Sequence, residues 1–304
     1  MSLTRWSASW SCATRNKMKD NGRKDLCATC HVCWRQCRIK EGGLGYCRAR
    51  TVKDGVVIPE SYGKLTSLAL DPIEKKPLYR FRPGSRILSV GSYGCNMRCL
   101  FCQNCAISMA GPDNGGKRAL WVDMTPEELV KRAAELRPYG NVGLAYTYNE
   151  PFIGYEFVMD CARLIRERGL VNVAVTNGCI NEEPLLEILP YIDAMNIDLK
   201  SFRRDFYRRM GGDLDTVLRT IQIAAERCHV EVTTLIIPGE NDADEEMEEI
   251  ASWLAGVDRD ITLHITRFFP AWKMKDKPPT PVERVYSLVD VARRHLKYVF
   301  PGNC

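Results

Sequence analysis

The chain has 304 residues, 45% of them hydrophobic and 27% charged, with 43 basic and 38 acidic side chains for a net charge of +5. That length suits one main domain with an appendage, the composition argues against a disordered or fibrous chain, and the mildly basic balance does not by itself argue for nucleic-acid binding. No apolar run reaches the ~18–20 residues of a membrane span, and the first 25 residues, with Arg5, Arg15, Lys17, Lys19, Arg23 and Lys24, lack a secretory pattern, so the expected location is cytoplasmic.

Residues 1–25 are polar and aperiodic, which predicts a weakly ordered start. Residues 26–58 form a Cys- and Gly-rich segment in which Gly42, Gly43 and Gly45 ask for tight turns. This segment has too little apolar material for its own core and is expected to fold around a metal. Residues 59–84 carry Pro59, Pro72, Pro77 and Pro83. Backbone before a proline prefers to be extended, so this stretch reads as a strap over a domain surface.

From 85 to 304, short β-type runs alternate with helical ones. Strands are predicted at 87–90, 142–146, 171–175, 195–199, 230–236 and 261–265, and helices at 126–136, 151–168, 183–189, 214–227, 245–254 and 282–296. Thr125, Pro126 and Glu128 make a capping box at the head of the first helix. Six β–α units give an α/β fold with a parallel sheet, either an open doubly wound sheet or a partial barrel. In both, chemistry collects at the C-terminal ends of the strands.

The residues there are polar or reactive in all six units: Cys95, Cys99 and Cys102 after the first strand, Glu150 after the second, and Thr176 and Asn177 after the third. Asp198 and Lys200 end the fourth, Pro238 and Gly239 follow the fifth, and His264 and Arg267 belong to the sixth. A lone Glu or Lys past a strand is most often a cap or a solvated tip, and a lone His in a strand is most often a core histidine. Six coincident positions weaken those plainer explanations together.

Cysteine is the informative residue. Nine of the 14 fall in two clusters, 27–47 and 95–105, and in a reducing compartment such spacing reads as metal or iron–sulfur ligation. Cys95-x3-Cys99-x2-Cys102 offers three thiolates within eight residues, enough for three irons of a cubane with the fourth left open. Zinc is the competing occupant, although an x3 gap is uncommon in zinc knuckles. Phe101 places a ring beside the third thiol, suited to stacking on a base or simply to packing in the core.

This motif, with its aromatic before the last Cys, resembles the signature of radical S-adenosylmethionine (SAM) enzymes. The resemblance implies a partial (β/α)6 TIM-like barrel, a [4Fe–4S] cluster on Cys95, Cys99 and Cys102, and SAM chelated to the open iron. One-electron reduction then yields a 5′-deoxyadenosyl radical that abstracts hydrogen. The phrase from Leu70 to Tyr79 (LDPIEKKPLY), then Pro83-Gly84-Ser85, Gly94-Cys95-Asn96 and Cys102-Gln103-Asn104, resembles the radical SAM member of the AmmeMemoRadiSam system, akin to pyruvate formate-lyase activating enzymes. The likeness spans about residues 30–300. It implies SAM contacts from Phe101, Glu150, Thr176, Asn177, Asp198, Lys200 and His264. It also implies a flavodoxin- or ferredoxin-like electron donor and AMMECR1- and Memo-type partner proteins. Val175 and Asn196 stand where activating enzymes with a cation site carry Asp and Met, so a bound monovalent cation is not expected. The chain stops at Cys304 without the Cys-Pro-x-Cys tail of related sequences, so no metal is expected there.

In the N-terminal cluster, Cys27-x2-Cys30-x2-Cys33-x3-Cys37 has ferredoxin-run spacing, with Arg38 where Pro is usual. The resemblance instead selects Cys30, Cys33, Cys37 and Cys47, leaving Cys27 outside and His31 incidental. Such a set suits one zinc or an auxiliary iron–sulfur cluster, and the segment's lack of a core favours zinc. The substrate stays open: a small molecule, RNA, or a partner protein receiving a glycyl radical. A binding module without turnover is the non-enzymatic alternative. The stretch 202–209 interleaves aromatics with four Arg, suiting either an anionic ligand or a solvated helix with Phe202 and Phe206 turned inward. Residues 272–279 read as a lid or an exposed loop.

Overall fold

The computed structural model describes residues 26–112 and 120–304. The expected weakly ordered start, 1–25, lies outside the described residues. The Cys-rich segment folds as two small antiparallel hairpins, β1 (Cys27–Thr29) with β2 (Arg38–Lys40) and β3 (Arg50–Lys53) with β4 (Val56–Pro59). The stretch 59–84 continues extended. It contains β5 (Lys64–Leu65) and β6 (Ser67–Pro72), and β6 pairs antiparallel with β7 (Arg86–Gly91). The thiol loop and the one-turn helix α1 (Cys105–Ser108) follow, then β8 (Val122–Asp123), which pairs back on β5.

The remainder is a regular β–α alternation. Helix α2 (Pro126–Glu135) precedes β9 (Asn141–Tyr146), and α3 (Tyr155–Glu167) precedes β10 (Val171–Thr176). Helix α4 (Glu182–Ile188) leads to β11 (Ala194–Asp198), and α5 (Arg204–Met210) with α6 (Leu214–Ala225) leads to β12 (His229–Ile236). Then come α7 (Asp244–Val257), β13 (Thr262–Arg267), α8 (Val282–Ala292) and β14 (Tyr298–Gly302). Local chemistry sets the helix starts. Thr125 and Glu128 form the reciprocal capping box of α2, and Asp213 accepts from Thr216 N at the head of α6.

The main sheet has eight strands in the order β14-β13-β12-β11-β10-β9-β7-β6, parallel except for the β6 edge. Each parallel strand lies beside its predecessor. Right-handed crossovers in one running direction put all the helices on one face, whereas a doubly wound sheet reverses its strand order and covers both. The sheet therefore curls as a barrel would. No pairing joins β6 to β14 among the described residues, so it remains open. The helix face packs through Leu88, Leu144, Met195, Ile197, Val232 and Leu263. The concave face is lined by Ile87, Ala145, Val173 and Ala194 and is plugged by Ile73 and Leu78 of the extended stretch, both fully buried.

Side chains of the sheet hold the backbone of that plug. Asn196 Nδ2 donates to Pro77 O (2.9 Å), and the N–H groups of Tyr79 and Arg80 donate to the Glu231 carboxylate (3.0 and 2.8 Å). The Pro-rich phrase thus lies inside the curl of the sheet. Among the described residues no helix is long and apolar enough to cross a membrane.

Candidate active site: the thiol loop at the strand ends

The loop carrying Cys95, Cys99 and Cys102 leaves the C-terminal end of β7 and is anchored by its neighbours. Gly94 has φ +83°, and a Cβ there would run into the Cys47 carbonyl oxygen, so only glycine lets the two segments approach. Cys95 N donates to that carbonyl (3.2 Å). Asn149 Nδ2 donates to Gly94 O (3.0 Å) while its Oδ1 accepts from Ser92 N (3.0 Å). Asn104 Nδ2 reaches Tyr148 O at 2.7 Å, and Tyr148 itself sits at φ +72°.

The sulfurs already have donors around them. Cys95 Sγ accepts from Met97 N (3.4 Å) and from Asn177 Nδ2 (3.6 Å), and Cys102 Sγ lies 3.1 Å from Ser108 Oγ. N–H groups aimed at sulfur favour the thiolate over the thiol. Burial works against it. Cys95 is pushed well up, mainly by burial and then by the Glu150 charge, and Cys99 is pushed to about 11 by burial despite Lys200 nearby. A metal bound there would deprotonate such thiols. Among the described residues no three His, Cys, Asp or Glu side chains converge on one point as ligands of a single ion would. A cubane takes each thiolate at a separate iron, so its ligands need not converge, and the donor set fits that group.

Glu150 stands beside this loop, 3% exposed. Its carboxylate accepts from Phe152 N (3.1 Å), Thr176 Oγ1 (2.8 Å) and Asn177 N (2.7 Å). Burial outweighs those bonds and lifts its pKa to about 7. Asp198 and Lys200 pair at 2.7 Å. Burial alone would lower the Lys200 ammonium, but Asp198 and Cys99 outweigh it and hold it above its usual range. Lys200 Nζ lies 5.9 Å from the Phe101 ring, which is buried against Phe206.

Predicted residues from four strand ends are thereby brought together: the thiol loop with Phe101, Glu150, Thr176 with Asn177, and Asp198 with Lys200. His264 is level with Asp198 in register, two strands away across Thr233. Two strand spacings put it roughly 10 Å off, and its Nε2 is engaged by Glu231 Oε2 at 2.6 Å under the Tyr79 ring. At the positions read against a cation site, Val175 carries no ligand atom and Asn196 is tied to Pro77 and Thr233.

Several participants escaped the sequence reading. Asn149 clamps the loop, and Asn96 ties it to the turn after β10, receiving Asn177 Nδ2 at 2.9 Å and donating to Cys179 O at 2.7 Å. Both stand inside phrases already singled out, so position within the motif was the available signal. The stretch 202–209 takes its solvated-helix form as α5: Phe206 is buried, Phe202 packs on Trp253, and Arg203, Arg204 and Arg209 pair with Glu249, Asp215 and Glu240. Residues 272–279 lie against the thiol loop, Lys273 N donating to Leu100 O at 2.9 Å.

The N-terminal thiols make a second constellation. Cys30, Cys33, Cys37 and Cys47 line one small cavity of about 10 Å3 together with Arg50 and Asn96. Cys27 is exposed and accepts from Arg38 Nε instead. Burial lifts Cys33 to about 11 and Cys47 to about 12, while the backbone N–H groups of Arg35 and Ala49 donate to their sulfurs. Each N–H lies two residues past its Cys, the relation Met97 has to Cys95. An open groove of about 760 Å3 between α2 and α3 is lined by acids such as Asp123, Glu127 and Asp160 and holds none of these thiols.

Known proteins resemble this chain. The Methanocaldococcus jannaschii protein MJ0808 is 44% identical over 278 residues, 90% of this chain and 80% of that one. The indoleacetate decarboxylase activating enzyme of Tractidigestivibacter scatoligenes is 27% identical over 199 residues, 64% of this chain and 59% of its own. Among solved structures, a radical SAM methyltransferase from Sphaerobacter thermophilus superposes with a TM-score of 0.53 at 18% identity, over 73% of this chain and 67% of that one. The sequence pattern of the radical SAM superfamily matches residues 89–254, more than half of the chain, with the thiol loop inside the match, and the protein belongs to that superfamily.

Proposed function

We propose that the protein is a radical SAM enzyme holding a [4Fe–4S] cluster on Cys95, Cys99 and Cys102 and SAM across the ends of β9–β13. When bound, cluster and SAM supply one-electron cleavage to methionine and a 5′-deoxyadenosyl radical that abstracts hydrogen. This chain's residues orient and neutralise. The Glu150 carboxylate, fixed by three donors, suits the SAM ammonium, and Lys200, steered by Asp198, suits its carboxylate. Phe101 borders the space beside the third thiol, Thr176 and Asn177 shape the turn, and His264 stands farther along the concave face. Stacked core on the helix side and the plug on the other exclude water.

The observation that carries this reading is the gathering of three thiols, a buried acid and a buried cation at one end of one sheet. A flavodoxin- or ferredoxin-like donor in the cytoplasm would provide the electron, with AMMECR1- and Memo-type proteins as candidate partners. The relative named as an activating enzyme favours a second reading, a glycyl radical installed on a partner protein. The four N-terminal thiols are read as a metal site, zinc or an auxiliary cluster.

Anaerobic incubation with SAM and dithionite tests the proposal. The reconstituted protein forms 5′-deoxyadenosine, and Cys99→Ala loses both the product and the cluster absorbance while keeping its far-UV spectrum. Undiminished SAM cleavage by Cys99→Ala would overturn the cluster assignment, and no cleavage by the wild-type protein would leave the binding-module alternative. A stable glycyl signal on an added partner selects activation over small-molecule or RNA modification.

A further inference from the structure

Arg35 belongs to the Cys-rich segment, two residues past Cys33, yet its side chain lies on the thiol loop. Nε donates to Asn96 O at 3.1 Å, and Nη2 donates to Gly211 O at 2.6 Å, at the end of α5. The guanidinium stacks 3.5 Å from the centroid of the Tyr46 ring and lies 4.6 Å from that of Trp34. Among the described residues no carboxylate pairs with it. The Asn96 carbonyl is one half of a peptide group whose other half is the Met97 N–H, and that N–H donates to Cys95 Sγ at 3.4 Å. A peptide whose oxygen accepts from a cation is polarised, and its N–H becomes the stronger donor. Arg98 grips the peptides on either side, through Cys95 O (2.6 Å) and Met97 O (2.8 Å), and leaves the Asn96 carbonyl to Arg35.

We infer that Arg35 is a positioning residue that raises the reduction potential of a cluster held on Cys95, acting through the Asn96–Met97 peptide. This rests on reading Cys95, Cys99 and Cys102 as cluster ligands. Reduction adds negative charge to a cluster, and hydrogen bonds to its sulfurs set its potential by stabilising the reduced form more than the oxidised one. Gly211 and the Tyr46 ring fix the guanidinium in place, so the donor is already ordered when the electron arrives. The Cys-rich segment thereby contributes to the electronics of the thiol loop as well as to its packing.

The test uses the full reconstituted chain, titrated anaerobically with dithionite and followed by electron paramagnetic resonance. The signal that changes on adding SAM identifies the cluster with an open iron and separates it from any cluster on the N-terminal thiols. Arg35→Met removes charge and donor together, whereas Arg35→Lys keeps the charge and removes the fork that spans Asn96 O and Gly211 O. In Arg35→Met the oxidised-to-reduced ratio at a fixed potential is expected to rise about tenfold, a potential about 59 mV lower for one electron. In Arg35→Lys the ratio is expected to rise about threefold. Resonance Raman reads the sulfur bond directly: the wild-type Fe–S(Cys) bands should shift on exchange into D2O, and that shift should shrink in Arg35→Met with iron content unchanged. A wild-type potential in Arg35→Lys overturns the inference and leaves the cluster reading standing, since the charge alone would then act. Loss of the cluster from both variants also overturns it, since Arg35 would then hold the loop without tuning it. No SAM-responsive cluster in the wild-type protein overturns both.

Discussion

Substituting Glu150 by Gln isolates the charge at the centre of the candidate site. Oε1 accepts from Phe152 N and Thr176 Oγ1, and a glutamine oxygen can keep both bonds, while the new NH2 faces Asn177 N, a donor, and loses the third. The native carboxyl has its pKa lifted from 4.5 to about 7 because burial disfavours its charge. A shift of that size corresponds to about 3 kcal/mol. The sign follows from the direction: the folded state holds the proton more tightly, so this contribution to stability is full below about pH 4.5, is lost as pH rises toward 7, and is constant above. Glutamine has no such dependence. Ligand binding runs the other way, because only the ionised form attracts the SAM ammonium. Wild-type affinity should rise through about pH 7 and level off, with a gain of roughly 1.5–3 kcal/mol, or about ten- to a hundredfold, over Glu150→Gln at high pH. Equilibrium dialysis with unreduced, reconstituted protein between pH 6 and pH 8.5 measures it without turnover. A flat wild-type profile, or a Gln variant within threefold at the alkaline end, refutes the assignment of Glu150 to the ammonium.

Lys200→Ala should likewise weaken SAM about ten- to a hundredfold with iron content unchanged, and survival of affinity in single substitutions of Glu150, Lys200 and His264 would show that the pocket lies elsewhere. Gly94→Ala forces a Cβ against the Cys47 carbonyl and within 3.0 Å of the Ala49 Cβ at a positive φ. It should lower stability by about 2 kcal/mol or more and expose residues 26–58 to protease first, and a melting temperature equal to wild type would show that this contact is not rigid.

The β–α alternation was legible because strands and helices leave different hydrophobic periods, which are local properties. The six predicted strands match β7 and β9–β13 apart from their ends, and the α2 capping box forms as written. The β14 strand was hidden: Tyr298–Gly302 contains Pro301 and follows a helix whose predicted end ran to 296, and only pairing with β13 makes it a strand. The extended character of 59–84 could be read from its prolines. That β6 joins the sheet edge and that Leu78 enters the concave core are decided by partners far along the chain, Val90 and Glu231 among them. The thiol motif, with Glu150, Asp198 and Lys200 at strand ends, was readable because parallel β–α units put every such position on one side. Arg35 left no trace in the sequence. Its partner carbonyl, on Asn96, lies 61 residues along the chain, and only folding brings the two together, because such contacts are properties of the assembled molecule.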